Sequence, residues 1–114
     1  VEVVKSQGID FLLAVGGGSV IDATKFIAAA TFFPGEPWDI LSKGGKIEKA
    51  LPLGTVLTLA ATGSEMNERA VISRVTTCEK LNFASLEFQS LEGIIEAIGL
   101  EPCKLCTYCW NGKE

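Results

Sequence analysis

Three consecutive glycines, Gly16-Gly17-Gly18, with Ser19 behind them, are the residues whose type and spacing point most directly to chemistry. Positions without a Cβ let the backbone come close to a ligand that any larger residue would hold off. The apolar run Phe11-Leu12-Leu13-Ala14-Val15 reads as a buried strand leading into this turn, and Val20 to Ala30 reads as a helix leaving it. Ser19 is placed to cap that helix, and Val20, Ala23, Phe26, Ile27 and Ala30 follow helical spacing. A helix N-terminus behind a glycine-rich turn presents unpaired amides and a partial positive charge, which suits a phosphate or pyrophosphate. The same glycines would also serve simply to let a strand and a helix pack closely.

The cysteines form a second group. Cys103, Cys106 and Cys109 crowd the last twelve residues, and Cys78 stands apart. The Cys106-x-x-Cys109 spacing suits a metal or a redox pair. A tetrahedral zinc needs four ligands, so Cys103 and Cys78 would have to complete the set. The chain has no histidine. That excludes a Ser/His/Asp triad, a histidine general base and any histidine-bearing metal site within it.

The elements that must position these groups follow from composition and pattern. At 114 residues, 47% hydrophobic and with a mean hydropathy of +0.32, the chain is expected to form one domain with a real core. A net charge of −4 and a pI near 4.8 argue against nucleic acid as a partner. No run reaches the roughly 18 apolar residues of a membrane span, and Glu2, Lys5 and Asp10 interrupt any signal-peptide core. A cytoplasmic setting is expected. The start without methionine, in mid-pattern, is what a piece of something longer would show.

Val1 to Ser6 reads as the end of a helix closed by Gly8, and the apolar run 11–15 suits a sheet covered on both faces. Trp38 to Leu41 reads as one short turn, Lys43 to Lys46 as a solvated loop and Pro52 to Leu59 as a second strand. Ala60 to Glu65 is a small-residue turn in which Ser64 and Glu65 suit a helix cap and first-turn acid. Ala70 to Ser73 is a third strand candidate, Thr76 to Lys80 a polar turn, and Leu86 to Leu100 an amphipathic helix with Leu91, Ile94, Ile95 and Ile98 on one face. Alternating strand, helix and strand up to residue 59 predict a doubly wound α/β layer.

Several of these stretches resemble the iron-containing alcohol dehydrogenases, most closely their NADPH-dependent butanol dehydrogenase or aldehyde reductase branch. They are Phe11 to Ala30, Pro37-Trp38-Asp39-Ile40-Leu41, Leu57-Thr58-Leu59-Ala60-Ala61-Thr62-Gly63-Ser64-Glu65 and Ala70-Val71-Ile72-Ser73-Arg74. The resemblance covers residues 1–85 and implies part of a Rossmann-like parallel sheet that binds NADP or NAD. It implies that Gly17, Gly18 and Ser19 hold the pyrophosphate on their amides, with Asp22 beside them in the first helical turn. Thr58 and Thr62 would line the adenine and ribose side. Lys80 would contact the ribose, although Thr76 to Glu79 follow the family's pattern only loosely. Read from the residues alone, Asp22 also suits the helix dipole, and Thr58 and Thr62 suit a strand and a turn. The family holds iron or zinc on an aspartate and three histidines in a helical domain, so neither metal is expected to bind this chain. Hydride transfer between NAD(P)H and an alcohol or aldehyde is therefore expected of the family and not of the chain alone.

Residues 86–114, with Cys106-Thr107-Tyr108-Cys109 near the end, resemble the C-terminus of amidophosphoribosyltransferases. There a terminal Cys-x-x-Cys supplies two ligands of an iron–sulfur cluster, which makes Cys106 and Cys109 the candidate metal ligands. Two resemblances that abut near Ser85 predict a chimaera of two units, 1–85 and 86–114. The competing expectations are a metal- or cluster-bearing module built on the tail and a non-functional remnant that self-associates through exposed apolar faces.

Overall fold

The computed structural model describes residues 1–59 and 61–85. Its centre is a strand–helix–strand unit. β1 (Leu12–Gly16) delivers the glycine turn to α2 (Gly18–Phe32), and β2 (Leu53–Leu57) returns beside β1 in parallel, from Leu12 opposite Leu53 to Gly16 opposite Leu57. A parallel pair needs a long crossover, supplied here by α2 and by α3 (Asp39–Ser42), where a short turn is expected. α1 (Glu2–Ser6) precedes β1, and Gly8 reverses the chain after it with φ +62°.

Side chains alternate across a strand, and that alternation divides the two faces of the parallel pair. Leu12, Ala14 and Leu53 face α2 and join the core with Val4, Ile40, Leu41, Leu51 and Phe83, Ala14 being 1% exposed. Ala28, Ala29 and Ala30 line the buried side of α2, where small side chains let neighbouring backbone approach: the Leu51 N–H donates to the Ala28 carbonyl at 3.2 Å. On the opposite face Phe11, Leu13 and Val15 are 52%, 62% and 57% exposed. Among the described residues, one face of the sheet is covered where the apolar run predicts two.

The second sheet is an antiparallel hairpin that packs on α2 and α3. β3 (Arg69–Arg74) pairs with β4 (Glu79–Ala84), from Arg69 opposite Ala84 to Arg74 opposite Glu79. Val75 to Cys78 make the turn, with Cys78 at φ +54° and its N–H donating to the Val75 carbonyl. The polar turn expected over Thr76 to Lys80 thus ends two residues early, and β4 is a strand the residue pattern left unassigned. Its signal is the alternation of Leu81 and Phe83, turned inward, with Lys80, Asn82 and Ala84 outward. Phe83 meets Phe26 of α2 edge to face, 6.1 Å between centroids, which ties the hairpin to the helix.

The result is a mixed α/β unit with one parallel pair and one hairpin around a central helix. The amphipathic stretch 86–100 and the cysteines 103, 106 and 109 lie outside the described residues. Among the described residues no helix is long and apolar enough to cross a membrane.

Candidate functional site

The three glycines of the turn meet different surroundings. Gly16 has φ +159°, and a Cβ there would lie 2.7 Å from Val20 Cγ2 and 2.9 Å from Val20 Cβ. Gly17 is the N-cap of α2, and its carbonyl accepts from the N–H groups of Val20 and Ile21 at 3.1 and 3.2 Å. A Cβ on Gly17 would meet nothing within 4 Å, so this side of the turn is open. At Gly18 a Cβ would come 3.3 Å from Thr62 Oγ1 and 4.0 Å from Ser64 Cβ. The turn after β2 therefore lies against the glycine turn.

Ser19, expected as the cap, is instead the second residue of α2 and is exposed; Gly17 takes the cap position with an extended backbone. The amides of Gly18 and Ser19 open the helix, where no preceding turn offers them a carbonyl. Thr58 continues the ladder one residue past β2, its N–H donating to the Gly16 carbonyl at 3.1 Å. Gly17, Gly18, Ser19, Thr58 and Thr62 are thus brought together at the C-terminal end of the parallel pair, where open α/β sheets bind ligands. Lys80 is placed apart from them, exposed on β4 opposite Ser73. A cavity of about 170 Å³ lies at the other end of α2, between Phe32, Phe33 and Lys46 to Lys49, away from this turn.

Asp22 is one turn into α2, not in its first turn, and both its carboxylate oxygens are engaged inward. Oδ1 accepts from the Ser64 hydroxyl, and Oδ2 accepts from the Val71 N–H at 2.9 Å. Ser64 opens a short 3-10 turn, Ser64–Met66, whose N-cap is Gly63 at φ +70°. Ser64 and Glu65 therefore begin a single turn, with Ser64 inside it rather than capping it.

Three residues along the same face of α2, Lys25 is 3% exposed. Its ammonium donates to the Asn67 carbonyl at 2.6 Å, the Arg69 carbonyl at 2.8 Å and Asn67 Oδ1 at 3.2 Å. Burial lowers its pKa below the usual lysine value, while the charges of Asp22, Glu65 and Glu68 oppose that shift. The residue pattern passes over Lys25; its signal is a charge set between Ile21 and Ala28 on the face that enters the core.

A lysine whose native pKa is depressed binds fewer protons folded than unfolded between the two values, so its contribution to stability rises with pH there. The stability of the chain relative to Lys25→Met is accordingly expected to grow as pH climbs through the alkaline range toward the unfolded lysine value of about 10.4. Urea titrations of both proteins across that range check this. A difference that shrinks with pH would contradict it.

Among the described residues no group of three or more histidine, cysteine, aspartate or glutamate side chains is placed to hold a metal ion. Cys78 is a free, exposed thiol.

The chain matches the family model for iron-containing alcohol dehydrogenases over residues 1–91. It is 54% identical to the NADPH-dependent aldehyde reductase YqhD of Escherichia coli over 101 residues, covering 86% of this chain and 26% of that protein. It is 59% identical to the probable NADH-dependent butanol dehydrogenase 1 of Bacillus subtilis over 85 residues, covering 75% of this chain and 22% of the relative. The crystal structure of E. coli YqhD superposes with a TM-score of 0.74 at 58% identity, covering 77% of this chain and 23% of that one. A sulfoacetaldehyde reductase from Bifidobacterium kashiwanohense in complex with NAD+ superposes at 0.70 with 28% identity, covering 76% and 23%. The chain spans about a quarter of the length of the curated relatives it matches. A glycine turn between a parallel strand and a helix, and a family match over most of the chain, lead to one conclusion: it belongs to the iron-containing alcohol dehydrogenase family.

Proposed function

We propose that residues 1–85 are the dinucleotide-binding part of an alcohol or aldehyde oxidoreductase that uses NADPH or NADH. The observation that carries this reading is the approach of Thr62 Oγ1 to within 3.3 Å of where a Cβ on Gly18 would sit, beside the opening amides of α2. A pyrophosphate seated there would take the N–H groups of Gly17, Gly18 and Ser19, with the helix end favouring its charge. Thr58 and Thr62 stand on the adenine and ribose side and Asp22 supports the turn from behind, while Lys80, exposed on β4 opposite Ser73, stands apart from this site. A family relative named for NADPH use and another named for NADH use support the cofactor class and leave both nucleotides in the reading.

In the whole protein the chemistry is reversible hydride transfer between the nicotinamide and an alcohol or aldehyde. In this reading the part of the protein that residues 1–85 supply holds and orients the cofactor. The exposed face of Phe11, Leu13 and Val15 is the surface through which the chain self-associates.

The test is a thermal melt of the purified chain with millimolar NADPH, run beside NADH, with light scattering on the same sample. A ligand present at a hundred times its Kd stabilises by about 2.7 kcal/mol, enough to raise the melting temperature by several degrees. A cooperative melt unmoved by either nucleotide would overturn the binding reading. Scattering from a clean monomer would overturn self-association.

A further inference from the structure

α2 reaches the segment that closes over the glycine turn through two side chains only three residues apart on one helix face. Lys25 takes the carbonyl of Arg69, and Asp22 takes the N–H of Val71, two groups on the edge of β3 that β4 does not occupy. An open strand edge leaves such groups unpaired unless something covers them. Here two charged side chains of a helix stand where a neighbouring strand would otherwise be.

Both grips extend back to the turn that meets Gly18. Lys25 also holds Asn67 by its carbonyl and by Oδ1, the same Oδ1 accepts from the Arg69 N–H at 3.0 Å, and Asn67 Nδ2 lies 3.5 Å from the Thr62 carbonyl. Asp22 holds the Ser64 hydroxyl, and Ser64 Cβ lies 4.0 Å from the Cβ position of Gly18. The two residues that approach Gly18, Thr62 and Ser64, are thus the two at the far ends of the Lys25 and Asp22 networks.

We propose that Lys25 and Asp22 are positioning residues for the dinucleotide site: from within α2 they fix the distance between the Thr62–Ser64 turn and the glycine turn, without touching the nucleotide. This rests on the dinucleotide reading above. It also accounts for a lysine buried in a helix face that packs against the core. The ammonium supplies three donors to three acceptors within one turn of chain, which no apolar residue of its length could do. The cost of burying the charge is offset because the acceptors would otherwise be left without partners.

The experiment uses the full 114-residue chain and NADPH as the probe, with affinity measured well below the melting temperature of each variant. Lys25→Met keeps the volume and removes all three donors. Asp22→Ala removes both acceptors. Asp22→Asn keeps the bridge, because its Oδ1 can accept from Val71 while its Nδ2 donates to the Ser64 hydroxyl. Ile40→Val is the control for destabilisation alone, in a core position on α3 that makes none of these bonds.

Lys25→Met and Asp22→Ala are expected to weaken NADPH binding about tenfold or more, with Asp22→Asn restoring affinity and Ile40→Val leaving it unchanged. Folded Lys25→Met that binds as tightly as the parent overturns the proposal. So does an Asp22→Asn as weak as Asp22→Ala. If Lys25→Met does not fold, the Asp22 pair decides. If the parent binds no NADPH, the functional reading fails by itself. The positioning claim is then read from backbone amide resonances of the unliganded proteins: displacement of Gly18, Thr62 and Ser64 in Lys25→Met, absent in Ile40→Val, supports it, and coincident spectra overturn it.

Discussion

Gly16→Ala is expected to destabilise the chain by about 2–3 kcal/mol, because a Cβ at this position overpacks a tight contact and strains the backbone together. The added atom would lie 2.7 and 2.9 Å from Val20 Cγ2 and Cβ, and the φ of +159° is one that side-chain-bearing residues rarely adopt. Val20 cannot simply swing away, since both of its close atoms belong to a β-branched side chain with restricted χ1 in a helix. The contact spans the join between β1 and α2, so relief requires the helix to move off the strand end, which would carry the Gly18 and Ser19 amides with it. Val20→Ala in the same chain removes Cγ2 and should recover part of the loss. Denaturant melts of the parent, both single variants and the double variant measure this coupling. Equal costs for Gly16→Ala with and without Val20 truncated would show that the clash is not the cause.

Ile21→Ala is expected to cost about 2–4 kcal/mol, the range for emptying a well-packed aliphatic site, and Ile21→Val about 1 kcal/mol. Ile21 and Ile40 are the largest of the fully buried side chains, and Ile21 is 0% exposed. Small domains hold only about 5–15 kcal/mol in total, so this one truncation removes a sizeable share. The position matters as well as the volume. The Ile21 N–H closes onto the Gly17 carbonyl, and Asp22 and Lys25 follow on the same helix. A void beneath the first turn of α2 should loosen the glycine turn and lower NADPH affinity. Ile40→Ala, of similar volume on α3, should lower stability by a like amount and leave affinity intact. Denaturant melts paired with NADPH titrations separate the two; equal losses of affinity would show that Ile21 acts only through overall stability.

Local pattern carried much of the architecture. The run 11–15, the glycine turn and the 3.6-residue spacing after it place β1 and α2 within a residue or two, because apolar periodicity and chain punctuation are properties of neighbours in sequence. Ala70 to Ser73 falls inside β3 for the same reason. β4 escaped because its inward residues, Leu81 and Phe83, are only two, and Glu79, Lys80 and Asn82 give the stretch the composition of a loop. Serine is a favoured cap residue, which points to Ser19, whereas the extended backbone of the cap falls at Gly17.

By itself the sequence determined the glycine turn, its flanking strand and helix, and the family, since those depend on residues adjacent in the chain or in fixed order. What the tertiary structure decided is how residues about 42 to 49 positions apart meet: Asp22 with Ser64 and Val71, and Lys25 with Asn67 and Arg69. Nothing in the local spacing of a lysine or an aspartate names a partner at that separation. The partner is chosen when α2 packs against β3, which buries Lys25 and partly covers Asp22, so that the lysine must find hydrogen bonds or impose its desolvation cost.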